Sequence, residues 1–164
     1  MILLETERLI LRNIRPEDAD TVFDYRNNEI CARYQRGQTK DLPGIRALTE
    51  RRMNDTLTVT DNAMVAVALK ETGKMVGEIV VMPNDECFSL GYTFHYAHHR
   101  RGYAFEALSC LIEYLHSLQP DWEFISFTET ENIPSQKLLK KLGYTDMGYV
   151  EKLDSQMFGK YLAE

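Results

Sequence analysis

The sequence predicts an α/β (α+β) fold in which helices flank a mixed, mostly antiparallel sheet, and three observations carry that prediction. Ala63 to Leu69 (AMVAVAL) and Met75 to Met82 (MVGEIVVM) are β-rich runs joined by the short turn Lys70-Glu71-Thr72-Gly73-Lys74. After a polar turn at Pro83 to Glu86 the run Phe88 to Phe94 extends them into an antiparallel meander. The stretch Gly91 to Leu118 then reads as a strand passing through a basic, glycine-containing turn into a helix, with Leu108, Leu111, Ile112, Leu115 and Leu118 at helical spacing. Finally, Trp122 to Thr128 (WEFISFT) alternates as a strand that returns beside the one ending at Phe94, which makes the crossover a βαβ unit.

Composition bounds the rest. A chain of 164 residues fits one domain with its own core, here residues 1–164. Its 44% hydrophobic and 27% charged residues are ordinary for a soluble globular protein. No run approaches the roughly 18 apolar residues of a membrane span, so no membrane partner is expected. The start MILLETERLILR carries glutamates and arginines and no signal-peptide pattern, which makes the cytoplasm the expected compartment. Cys31, Cys87 and Cys110 are odd in number and form no Cys-x-x-Cys pair, so reduced thiols are expected, with Cys110 a small buried hydrophobe. A net charge of −6 argues against a nucleic-acid partner.

In chain order, Leu3 to Arg12 reads as a first strand. Pro16-Glu17-Asp18 opens a helix continued by Ala19, Val22, Phe23 and Tyr25 and ending near Asn27-Asn28. Cys31 to Leu42 has no period and reads as a loop, and Pro43 begins a second helix with Ile45, Leu48 and Met53. Beyond Trp122 to Thr128, Asn132 N-caps a helix with Pro134 in its first turn and Leu138, Leu139 and Leu142 on its apolar face, and Gly143 stops it. Tyr144 to Leu153 and Met157 to Leu162 are the closing strands.

The turn before the long helix is a ready anion site. The first N–H groups of a helix lack intrahelical partners and sit at the positive end of its dipole, and here Arg100, Arg101 and Gly102 precede them. Gly102 permits close backbone approach and Ala104 leaves the next position unobstructed. The alternative is a plain strand-to-helix connection with solvated arginines.

Three stretches in this order resemble the GNAT superfamily of acyl-CoA-dependent N-acetyltransferases, in particular its branch of ribosomal-protein N-terminal acetyltransferases. They are Thr6-Glu7-Arg8-Leu9-Ile10-Leu11-Arg12 with Pro16-Glu17-Asp18-Ala19, then Gly91-Tyr92 through Gly102-Tyr103-Ala104-Phe105-Glu106-Ala107, then Asn132-x-x-Ser135 through Lys141-Leu142-Gly143-Tyr144. The resemblance implies a central strand pair that splays apart. It places the diphosphate of acetyl-CoA on the backbone of His99-Arg100-Arg101-Gly102-Tyr103-Ala104. It sets the pantetheine arm against Thr93, Phe94 and His95, and puts Asn132 and Ser135 near the thioester. Three departures stand out: His99 replaces the usual Gln or Arg, Arg100 stands where a small residue is common, and Leu139 occupies the position where some members carry a proton-donating tyrosine.

Acetyl transfer needs a polarised thioester carbonyl, a deprotonated amine and a stabilised thiolate. A backbone N–H at the end of the Phe88 to Phe94 strand suits the first. Glu129 is the favoured base, with Glu78 and His95 as alternatives, and Ser135 is the hydroxyl for the sulfur unless it only caps its own helix. Tyr25, Tyr34 and Tyr92 either line an acceptor pocket or serve as core and rim aromatics. His95, His98 and His99 cluster, but an open turn aims them apart, so no metal is expected. The expectation is a direct transfer from acetyl-CoA to a primary amine of a small molecule or a protein N-terminus, in a chain compatible with assembly as a homodimer. The alternative is a non-catalytic acyl-CoA-binding domain that has lost the acceptor chemistry.

Overall fold

The computed structural model describes residues 1–163. An eight-stranded sheet runs in the order β1-β2-β3-β4-β5-β6-β8-β7. The strands are β1 Ile2–Glu5, β2 Leu9–Asn13, β3 Ala63–Leu69, β4 Met75–Asn84, β5 Cys87–Phe94, β6 Glu123–Thr128, β7 Thr145–Val150 and β8 Ser155–Lys160. Neighbours pair antiparallel except β5 and β6, whose parallel register is confined to Cys87↔Glu123, Phe88↔Phe124 and Ser89↔Ile125. Beyond Ser89 and Ile125 the two strands part.

Both faces of the central strands are covered, which explains why β3 reads AMVAVAL as one apolar run rather than an alternation. Ala63, Val65 and Val67 join the cluster under α4 (Tyr103–Leu118) and α5 (Ile133–Lys141), whereas Met64 and Ala66 join the cluster under α1 (Ala19–Arg26) and α3 (Leu42–Arg52). The stripe expected on α4 buries Leu108, Leu111, Ile112 and Leu115 against Phe88, Leu90 and Phe124, while Leu118 at the helix end stays exposed. Truncating a fully buried leucine such as Leu111 to alanine costs about 2–5 kcal/mol.

The cluster under α1 and α3 also holds charge. Arg26 and Glu78 form a buried ion pair at 2.7 Å, and the Tyr25 hydroxyl donates to the same carboxylate at 2.6 Å. Burial and the adjacent Glu78 charge push the Tyr25 phenol well above its ordinary pKa. Arg12 grips Asp18 through both terminal nitrogens, and Asp18 in turn accepts from the Arg15 N–H at the start of the short 3₁₀ turn before α1.

Three local expectations change. The first strand is two, β1 and β2, because Thr6 N–H and Leu9 C=O close a turn across the polar run Thr6-Glu7-Arg8. Pro83 lies inside β4, and the turn shrinks to Asp85-Glu86, both at positive φ as a two-residue hairpin requires. The segment after Cys31 is preceded by a short helix, α2 (Glu29–Ala32), capped by the Asn28 side chain. The last two strands also fold back, so that β8 inserts between β6 and β7.

Candidate active site

The opening between β5 and β6 presents donors and few acceptors. His95 N–H donates to Val76 C=O at 2.8 Å, so the strand alternation turns the backbone groups of Leu90, Tyr92 and Phe94 away from β4 and towards β6. Each of those carbonyls is already taken. Leu90 C=O accepts from Ser126 Oγ at 3.1 Å, Tyr92 C=O from Gln35 Nε2 at 3.1 Å, and Phe94 C=O from His99 Nε2 at 2.6 Å and Cys31 Sγ at 3.3 Å. The N–H groups of Tyr92 and Phe94 lie on the same side, beyond the last β5–β6 pair, so no strand receives them. A ligand carrying carbonyl oxygens suits this edge.

The edge leads directly to the turn at residues 99–102. Arg100 and Gly102 both adopt left-handed backbone, at φ 64° and 78°, and Gly102 caps α4 without any side-chain hydrogen bond. The helical ladder begins with Glu106 N–H to Gly102 C=O, which leaves the N–H groups of Tyr103, Ala104 and Phe105 without intrahelical acceptors. The turn is braced from the polar turn between β1 and β2. Arg8 donates to Arg101 C=O at 2.9 Å and to Glu106 Oε1 at 2.7 Å, its own N–H donates to Glu106 Oε2 at 2.9 Å, and Thr6 Oγ1 reaches the same oxygen at 2.5 Å. Partial burial works against ionisation of Glu106, but the bonds from Thr6 and Arg8 outweigh it and hold the carboxyl below its ordinary pKa. A Cβ at Gly102 would meet Arg8 Nη2 at 3.3 Å in a backbone conformation that disfavours it.

Across the opening, α5 begins at Asn132, whose side chain accepts from the Ser135 N–H at 3.3 Å. The Ser135 hydroxyl is 2.5 Å from the Tyr92 hydroxyl, a direct link between α5 and β5. Burial lifts the Tyr92 phenol to about 12, against the opposing hydrogen bond with Ser135. Leu139, one turn on, is buried in the core. Ser135 thus meets a partner from β5 besides standing in the first turn of its own helix, a contact that no spacing in the sequence signals.

The opposite mouth is assembled by long-range side-chain contacts from the segment between α2 and α3. Gln35 reaches Tyr92 C=O, and Gln38 Nε2 donates to Thr93 Oγ1 at 3.0 Å. Arg36 donates to Glu129 Oε1 at 2.7 Å, to Leu153 C=O at 2.8 Å and to Asp154 C=O at 2.7 Å, tying this segment to the residue just beyond the end of β6 and to the β7–β8 turn. None of these three residues stood out in the sequence. The carbonyl oxygen of Gln38 and the hydroxyl of Thr128 are buried without partners among the described residues.

The candidate bases differ sharply in surroundings. Glu78 is fully engaged by Arg26 and Tyr25. His95 accepts the Ala97 N–H at Nδ1, 3.1 Å, so its Nε2 carries the proton that goes to Asp24 at 2.9 Å, and neither nitrogen is left with a free lone pair. Glu129 lies at the mouth, with Oε1 held by Arg36 and Oε2 taking no hydrogen bond among the described residues. Tyr25 is sealed in the core rather than lining the opening. The three histidines diverge: His95 faces Asp24, His99 turns back to Phe94, and burial with the neighbouring Lys74 charge holds His98 below its ordinary pKa. Among the described residues no group of three or more potential metal ligands converges, and all three cysteines are free thiols.

A family profile described as an acetyltransferase (GNAT) domain matches residues 8–145. An N-acetyltransferase called p20 from Bacillus licheniformis is 27% identical over 170 residues, covering 99% of this chain and 94% of its own. Among solved structures, an acetyltransferase of the GNAT family from Bacillus anthracis superposes with a TM-score of 0.81 at 21% identity, over 97% of this chain and 96% of its own. RimL, a ribosomal L7/L12 alpha-N-protein acetyltransferase solved with coenzyme A, superposes with a TM-score of 0.82 at 11% identity, over 98% and 97%.

Proposed function

The chain belongs to the GNAT acetyltransferase family, and from that premise we propose that residues 1–164 act as a single N-acetyltransferase domain, moving the acetyl group of acetyl-CoA directly to a primary amine of a small molecule or a protein N-terminus. The observation that carries this reading is the β5 edge: its gap-facing carbonyls are closed by side chains, its N–H groups at Tyr92 and Phe94 are open, and it ends at the uncapped start of α4.

Acetyl-CoA supplies an activated acyl carbon and a thiolate leaving group. The N–H groups around Gly102, Tyr103 and Ala104 suit its diphosphate, with Arg100 and Arg101 adding charge. The pantetheine arm pairs with β5 along Thr93, Phe94 and His95. Phe94 N–H is the donor there, and His99 acts by closing the Phe94 carbonyl rather than by touching the phosphates. Tyr92 N–H is placed to polarise the thioester carbonyl. Asn132 sets the first turn of α5, and Ser135 supplies the hydroxyl for the sulfur. Glu129 receives the amine proton through Oε2, the oxygen that Arg36 leaves free.

A protein N-terminus as acceptor is supported by the fold shared with RimL, named for acetylating a ribosomal protein. The test is release of free CoA from acetyl-CoA in the presence of an amine panel that includes N-terminal peptides, followed with a thiol reagent. Release that depends on one amine class supports the enzyme. Thermal stabilisation by acetyl-CoA with no CoA released for any amine supports the non-catalytic acyl-CoA-binding domain instead, a reading favoured only by the buried Leu139 where some members carry a tyrosine.

A further inference from the structure

We propose that Tyr92 is a positioning residue for the transfer: its phenol donates to Ser135 Oγ and thereby leaves the Ser135 O–H as the group aimed at the departing sulfur. This rests on the acetyl-CoA reading of the β5–β6 opening. The two hydroxyls are 2.5 Å apart, one on β5 and one in the first turn of α5, and the Asn132 side chain fixes that turn through the Ser135 N–H. Two hydroxyls sharing one hydrogen bond must divide the roles of donor and acceptor. A phenol is far more acidic than an aliphatic alcohol and is the better donor, so the shared proton belongs to Tyr92 and the serine proton points elsewhere. Burial lifts the phenol to about 12, which keeps Tyr92 protonated and the arrangement fixed through the neutral range. Leu139 offers no hydroxyl that would compete for the role.

The chemistry balances without Tyr92 losing its proton. The nitrogen lone pair forms the N–C bond, the C–S bond breaks with its electron pair going to sulfur, and nitrogen releases one proton. As charge gathers on sulfur the Ser135 O–H donates a hydrogen bond to it, and sulfur finally takes one proton from solvent, matching the one that nitrogen gave up.

Three variants test this: Ser135→Ala, Tyr92→Phe and the pair together. Ser135→Ala is expected to lower kcat by about 100-fold, the scale for loss of one donor to a developing anion, and Tyr92→Phe by about 10-fold through disorder of the serine proton. The double variant is expected to be no slower than Ser135→Ala, because the effect of Tyr92 passes through the serine. KM and binding of acetyl-CoA stay within about twofold throughout. A second readout needs no turnover. The thiol of bound CoA, titrated by its thiolate absorbance, should ionise at lower pH than free CoA in the wild type and revert towards free CoA in both single variants. Unchanged kcat and thiol titration in Tyr92→Phe, beside losses in Ser135→Ala, overturns the role of Tyr92 while the acetyltransferase reading stands. Additive losses in the double variant also overturn it. A wild-type protein that binds neither acetyl-CoA nor CoA contradicts the acetyl-CoA reading itself.

Discussion

At the turn before α4 the groups offered to a ligand are backbone N–H, and the side chains around them, Arg8, Thr6 and Glu106, bond to one another and to Arg101 C=O to hold that backbone in shape. At the opposite mouth of the β5–β6 opening the material is reversed. Gln35, Arg36 and Gln38 reach from the segment between α2 and α3 to Tyr92, Glu129, Thr93 and the β7–β8 turn, and the mouth exists only while those side chains hold. A site made of backbone tolerates change in most side chains but not in conformation. A site made of side chains can be reshaped one residue at a time, which suits the half of the opening proposed for the acceptor.

The sharpest way to break this contrast is Gly102→Asp. It places a Cβ at φ 78° and a carboxylate among the N–H groups proposed for the phosphate, and should weaken acetyl-CoA by more than about 100-fold in calorimetric titration, while the strained backbone lowers the thermal midpoint without ligand by only a few degrees. Unchanged affinity would remove the diphosphate from this turn. On the other mouth Arg36→Ala should raise the KM for the acceptor about tenfold and leave acetyl-CoA affinity within about twofold, since Arg36 touches no group of the cofactor side. The thermal midpoint should move little, because the Arg36–Glu129 pair is open to solvent on the Arg36 side and screened by it. A fall in acetyl-CoA affinity as large as the rise in acceptor KM would merge the two regions into one.

The smallest effect is the pH response of the brace. The Glu106 carboxyl sits below its ordinary 4.5 in the folded chain. On acidification the unfolded chain therefore takes up this proton first. The stabilisation is full above pH 4.5 and is lost as pH falls through the lowered folded value. Thermal midpoints of wild type and Glu106→Gln should accordingly converge in acid. A gap that widens below pH 4.5 would assign the brace to something other than the ionised carboxylate.

The same contrast explains what was legible in the sequence. The α4 stripe, the Asn132 cap, the β3–β4–β5 meander and the turn at Gly102 all follow from spacing within a short window, and each forms as its pattern predicts apart from the exposed Leu118 and the shorter β4–β5 turn. So is the parting of β5 and β6, foreseen from resemblance and seen in the register that stops at Ser89↔Ile125. What spacing cannot show is which distant side chain meets which. The pairing of Glu129 with Arg36, the engagement of Glu78 by Arg26 and Tyr25, and the contact of Tyr92 with Ser135 each join residues from separate elements. The single strand expected at Leu3 to Arg12 failed for a related reason: Ile2, Leu4, Leu9 and Leu11 all look like strand residues, and only the turn bond between Thr6 and Leu9 shows that they belong to two.

Amide hydrogen exchange with and without acetyl-CoA tests the central claim most directly, because the claim is that backbone N–H groups receive the cofactor. Slowed exchange at Tyr92, Phe94, Tyr103, Ala104 and Phe105, with the segment between α2 and α3 unchanged until an acceptor is added, is the predicted result. Full acetyl-CoA binding with no protection at those five amides would contradict it.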